Sequence, residues 1–231
     1  MALVRFPEGQ QRSGSTGGAV FSHNRYGAYI RSRSTPVNPQ TARQTAMRNY
    51  TRNLSIRWYA VLTAAQRDGW DLYAANVGWQ NKFGESVNLT GLNHYVRGNS
   101  VRLQAGLVYI DDAPTVFNLP EAPYLFVCSI SEAAQVVSVT FDPTEPWAVE
   151  DGGALAIYMG KPRGPARKFF NGPWRYIGLV EGNSITPPVS PVTPAVAWPC
   201  AELQRVTCYA RAVRADARLS LDARSDLFCD A

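Results

Sequence analysis

MRNYTRNLSIRWYAVLTAAQ, Met47 to Gln66, is the stretch that decides the fold class. Met47, Tyr50, Leu54, Trp58 and Val61 recur at intervals of 3, 4, 4 and 3, the signature of one apolar helix face. Arg48 and Arg52 fall on the opposite face. Thr63-Ala64-Ala65-Gln66 then matches a capping box, so a second helix starts there, with Trp70, Tyr73 and Val77 as its apolar side. Upstream, Asn38 is suited to cap the first helix and Pro39 to its first position, where a missing N–H costs nothing. Downstream, residues 79–89 read as a turn or hairpin around Gly84. Thr90 caps a third helix through Leu92, Tyr95 (or Val96), Asn99 and Leu103, ending near Gly106.

Past Pro114 the period changes from helical to two. Tyr124–Ile130, Gln135–Phe141, Ala154–Gly160, Trp174–Val180 and Arg205–Val213 read as strands, separated by Asp151-Gly152-Gly153, Gly160–Pro173 and the proline-rich Pro187–Pro194. In the last strand Val206, Cys208, Ala210 and Ala212 share one face. The fold class expected is therefore α+β in three parts: an extended arm at 1–38, a three-helix region at 39–107, and an antiparallel β-sandwich of immunoglobulin or fibronectin type at 115–231.

The arm, RSGSTGGAVFSHNRYGAYIRSRSTPVNPQTARQ from Arg12 to Gln44, carries five arginines and neither lysine nor acid. Arginine with interleaved aromatics favours planar, stacked contacts over diffuse solubility. Phe21, Arg25, Tyr26, Tyr29, Arg31 and Arg33 are the binding candidates here, joined by Arg48 and Arg52 on the first helix and by Arg163 and Arg167 in the basic loop 160–173. Tyrosine and arginine are the usual anchors of protein interfaces. Stacking aromatics with arginine also suit single-stranded nucleic acid, the second reading of the arm. Intramolecular wrapping is the third.

Charge is divided along the chain. Residues 1–110 hold 13 Lys+Arg and 4 Asp+Glu, a net +9; residues 111–231 hold 10 and 14, a net −4. Opposite patches of this kind suit head-to-tail contacts between copies. No run approaches the length of a membrane span, and the N-terminal residues lack an apolar signal core, so a cytoplasmic product is expected.

Residues for chemistry are sparse. Gly14–Gly18 lacks the Lys-Ser/Thr ending of a phosphate loop. His23 and His94 complete no nucleophile motif, and His94 is expected half-buried on the third helix. Asp142–Asp151 matches no calcium loop. Cys128, Cys200, Cys208 and Cys229 contain no CxxC, which leaves buried, reduced cysteines in strands as the reading. Neither catalysis, a metal nor a cofactor is expected. Trp147, Trp174, Tyr176 and Trp198 are the residues a sugar- or receptor-binding alternative would use.

Gly14-x-x-Gly17-Gly18-x-x-Phe21-Ser22-x-Asn24-Arg25-x-Gly27-x-Tyr29-x-Arg31, followed by Pro36-x-Asn38-Pro39-x-Thr41-x-x-Gln44, resembles small proteins encoded by tailed bacteriophages and prophages. Trp58, Leu62-Thr63-x-x-Gln66-Arg67-x-x-Trp70 and Leu89-Thr90-Gly91 fit the same pattern. The resemblance covers residues 14–106. It implies a virion structural protein with an immunoglobulin-like C-terminal half, made in the host cytoplasm and anchored to other virion proteins and to copies of itself. The resemblance assigns no virion position; the charge split, with the anchoring arm on its basic side, favours a head-associated one (decoration or neck) over a tail accessory. The resemblance carries no catalytic residues.

Overall fold

The computed structural model describes residues 2–3, 12–25, 27–34, 37–38, 40–80 and 85–231. They form two compact units: Met1–Ala46 with Gly78–Leu89, and Met47–Val77 with Thr90–Ala231. The class is α+β.

The helices start where side chains accept orphan amides. Helix α1 spans Ala42–Ala60. Its cap is Thr41, whose Oγ1 accepts from the Gln44 amide at 3.3 Å, rather than Asn38, which lies outside the helix. The expected first helical residue, Pro39, lies outside the described residues. Leu54 and Trp58 are buried as the periodicity requires, but Val61 lies past the helix end and is exposed; Leu62 takes the buried place. Helix α2, Ala64–Asn76, begins with the expected capping box: the Gln66 amide donates to Thr63 Oγ1 and the Thr63 amide to Gln66 Oε1. Helix α3, Gly91–Gln104, is capped by Thr90.

These helices bury Trp58, Trp70, Tyr73 and Tyr95 against one another, Tyr95 lying 5.5 Å from Trp58 and 5.6 Å from Trp70 between ring centroids. Asp111 secures this cluster. Arg57 donates to both its carboxylate oxygens (2.7 and 2.5 Å), the Tyr95 hydroxyl donates to Oδ1, and Trp70 Nε1 donates to its carbonyl. The Arg57 hydrogen bond holds the Asp111 carboxyl below its ordinary range.

The strands of the larger unit form a six-stranded sheet. In chain order they are β7 (Phe126–Ser131), β8 (Val137–Phe141), β9 (Ala154–Gly160), β10 (Trp174–Glu181), β11 (Arg205–Val213) and β12 (Ala223–Asp230), arranged β10-β9-β11-β12-β7-β8. Neighbours are antiparallel except β12 and β7, which meet in parallel through only Cys229↔Ile130 and Asp230↔Ser131. The sheet curls, so that Phe126, Val139 and Phe141 share one core with Leu155, Ile157, Met159, Val206 and Cys208. β12 is an addition to the strands expected from sequence. The proline-rich stretch is more than a turn: Val192 and Val139 exchange both backbone hydrogen bonds (2.8 and 3.0 Å), and Pro194 O accepts from Val137. Prolines there cover the β8 edge without offering donors to a further strand.

Helix α3 ties helices and sheet together. Arg97 donates to Leu219 O and Ser220 O (2.8 and 3.1 Å). Arg102, 4 % exposed, donates to the carbonyls of Val108, Gly152 and Arg214. Between them the Gly98 backbone lies so close to the 214–220 turn that an added Cβ would stand 2.0 Å from Ala217 O.

His94, expected half-buried, is 3 % exposed, its ring edge-on to Tyr73 at 5.1 Å. Its Nε2 is buried without a hydrogen-bond partner. Burial, and then the charge of Arg97, push its pKa from 6.5 down to about 4. The folded state therefore resists a proton that the unfolded chain accepts below pH 6.5. Stability is unaffected above that pH and falls as pH drops through the window to about 4, by on the order of 3 kcal/mol. Urea melts at pH 7, 5.5 and 4 check this; His94→Phe, which keeps a ring against Tyr73, is expected to flatten the dependence in that window.

Candidate interaction surface

The smaller unit holds a four-stranded antiparallel sheet in the order β1-β4-β3-β2, with β1 at Ala2–Leu3, β2 at Gly14–Thr16, β3 at Ala19–Asn24 and β4 at Gly27–Ser32. The arm is thus a meander of short strands paired with one another. Gly17 and Gly18 form the two-residue turn between β2 and β3, Gly17 at φ +56°, a conformation that matches strand twist and that glycine adopts without strain. Two further short strands in this unit, β5 (Trp79–Gln80) and β6 (Ser86–Val87), pair as the hairpin expected there; Gly84 lies outside the described residues.

The register divides the candidate residues. Directly opposed residues share a face. Phe21 opposes Gly14 and Ile30, while Tyr29 opposes Ser22 and Arg31 opposes Val20. Phe21 and Ile30 therefore lie on one face, Tyr29 and Arg31 on the other. Arg25 stands in the β3–β4 turn and Arg33 follows β4, its amide donating to Gly18 O at 2.7 Å. Arg25, Arg31 and Arg33 are exposed; Phe21 and Tyr29 are half-buried. Tyr26 lies outside the described residues.

No residue of the smaller unit whose burial is described is buried, whereas the larger unit contains every buried side chain of both apolar cores. A thin sheet with apolar side chains on both faces, none of them buried among the described residues, gains little stability by itself.

In the larger unit, Arg48 and Arg52 lie exposed on α1 beside a shallow groove lined with Met47, Thr51 and Ser55. Arg163 departs from the expected role. It is 7 % exposed, and its guanidinium donates to Arg167 O, Lys168 O, Thr207 Oγ1 and Asp226 Oδ1. It shapes the loop from within, and Lys161, Arg167, Lys168 and Phe169 are the side chains presented outward.

The aromatics of the sugar-binding alternative separate likewise. Trp147 is 1 % exposed in the core, its Nε1 donating to Glu145. Trp174 is half-buried, edge-on to Phe170 and Tyr209 (4.7 Å each), and Trp198 lies under Arg175. Asp142 and Asp151 accept from Thr144 and Ser184, and among the described residues no three His, Cys, Asp or Glu side chains converge as metal ligands. No helix among those residues is long and apolar enough to cross a membrane. In comparison with known proteins, the chain matches no family model and no curated sequence.

Proposed function

We propose that the chain is a structural protein of a tailed-bacteriophage virion, anchored to neighbouring virion proteins through its N-terminal sheet. The observation that carries this reading is a sheet in which no side chain of described burial is buried and which carries the exposed Arg25, Arg31 and Arg33, in a chain whose larger unit has two well-packed cores. Such a sheet becomes worth ordering when a partner covers it. Its half-buried apolar residues, on both faces, favour a protein partner over a nucleic-acid backbone, which would need the charge clustered on one side. A head-associated position, as decoration or neck protein, fits a repeated subunit that clasps its neighbours, since symmetry makes one contact recur in every copy. A tail accessory role is the next reading.

The curled six-stranded sheet is read here as an immunoglobulin- or fibronectin-type sandwich. The parallel seam of only two residue pairs between β12 and β7, and the shared core on either side of it, support two layers joined at one corner.

The test is a triple substitution, Arg25→Glu, Arg31→Glu and Arg33→Glu, in the full chain. All three residues are exposed, so the melting temperature is expected to stay within about 2 °C of the parent. Incorporation into particles, measured by quantitative mass spectrometry of purified virions, is expected to fall at least about tenfold, as a loss of roughly 1.4 kcal/mol in docking produces. Incorporation at the parental level would remove the sheet from the docking role.

A further inference from the structure

All four cysteines are buried free thiols in the larger unit, and Cys200 Sγ lies 3.2 Å from Cys229 Sγ. We propose that Cys200 and Cys229 are an oxidisable pair, a site that closes into a disulfide between the segment preceding β11 and the far end of β12. A disulfide requires about 2.05 Å between sulfurs, so closure moves them together by only about 1 Å.

Both backbones are already held at this approach. The Cys229 amide donates to Gln204 O and its carbonyl accepts from Leu203, each at 2.9 Å. Gln135 clasps Cys200, its Nε2 donating to Cys200 O at 2.8 Å and its Oε1 accepting from the Cys200 amide at 3.1 Å. Cys128 and Cys208 also share a hydrogen bond, but each sits mid-strand with registered partners, Val139 for Cys128 and both Met159 and Ser225 for Cys208. Cys200 lies outside the strands, and Cys229 belongs to the two-pair parallel seam, where the sheet is least paired. Local opening therefore reaches the Cys200–Cys229 pair before the other.

The step balances with a small-molecule disulfide as oxidant. One cysteine thiolate attacks oxidised glutathione, forming a mixed disulfide and releasing one glutathione. The second thiolate attacks the protein-bound sulfur, forming the intramolecular bond and releasing the other. The two cysteines lose two electrons and two protons, and oxidised glutathione gains both. Burial, followed by the hydrogen bond to Cys200, pushes the Cys229 thiol up to about 12, so the closed fold reacts slowly and the reaction proceeds through opening of the seam.

The reduced full chain, incubated with oxidised glutathione at pH 8 and then unfolded, is expected to show two titratable thiols in place of the original four. A peptide map without reduction is expected to contain the 200–229 cross-link, and the melting temperature to rise by about 10 °C, reversed by dithiothreitol. The Cys128→Ser variant should keep the cross-link and Cys229→Ser should lose it. Because the map on the parent chain needs no variant to fold, it decides alone. Four remaining thiols, a 128–208 bond, an intermolecular bond or a stable glutathione adduct would each overturn the assignment.

Discussion

Gly98→Ala is expected to lower the stability of the larger unit by about 3 kcal/mol, with a melting temperature roughly 10 °C below the parent. The new methyl would meet Ala217 O at 2.0 Å and Ala217 Cβ at 3.3 Å. A backbone carbonyl cannot swing aside as a side chain does, so α3 or the 214–220 turn must move. Movement of either disturbs the Arg97 and Arg102 hydrogen bonds that flank the contact. Gly164→Ala, where nothing lies within 4 Å, is the control and should change stability by no more than about 0.5 kcal/mol. Urea unfolding measures both; a Gly98→Ala protein as stable as the parent would mean that α3 does not seat on Ala217.

Arg102→Met is expected to cost about 3–4 kcal/mol. Methionine replaces most of the apolar stem, but the carbonyls of Val108, Gly152 and Arg214 lose their donor, at about 1 kcal/mol or more each. Burial depresses the Arg102 pKa, and its direct partners are all carbonyls, with no carboxylate among those contacts. Its contribution is therefore geometric satisfaction of the 102–108, 150s and 214 backbones. Lysine, with a point charge in place of a planar fork, is expected to recover less than half of the loss. Gly98→Ala and Arg102→Met act at one joint, so the double variant should fall short of the sum. Strict additivity in urea melts would show that the two residues serve separate contacts.

The parts of the fold legible in the sequence are those specified within a few residues. The Thr63/Gln66 box and the Thr90 cap are local exchanges of hydrogen bonds, and both form as read. Trp70, Tyr73 and Val77 are buried because period alone fixes a helix face. Arg205–Val213 alternates cleanly and is a strand over those residues. Long-range dependence hides the rest. β12, ARSDLFCD, carries Arg, Ser and Asp among its apolar residues and is stabilised by pairing with the preceding strand β11 and with β7, far back in the sequence. Asp111, Arg102 and Arg163 look like solvent-facing charges until the chain folds hydrogen-bonding partners around them. At the candidate surface, sequence named Arg25, Arg31 and Arg33 as binding candidates, and all three are exposed. It did not separate Phe21 from Tyr29, because which side chains share a face depends on the hairpin register.

The N-terminal sheet, with no buried side chain among its described ones, also affects how this protein varies. Substitutions at Arg25, Arg31 or Arg33 leave both apolar cores intact, so they escape detection in screens that report solubility, yield or melting. The larger unit is bound by contacts such as Gly98 on Ala217 and tolerates far less. If the sheet is the docking element proposed above, comparison of related sequences should show faster turnover at Arg25, Arg31 and Arg33 than at positions such as Gly98 and Arg102.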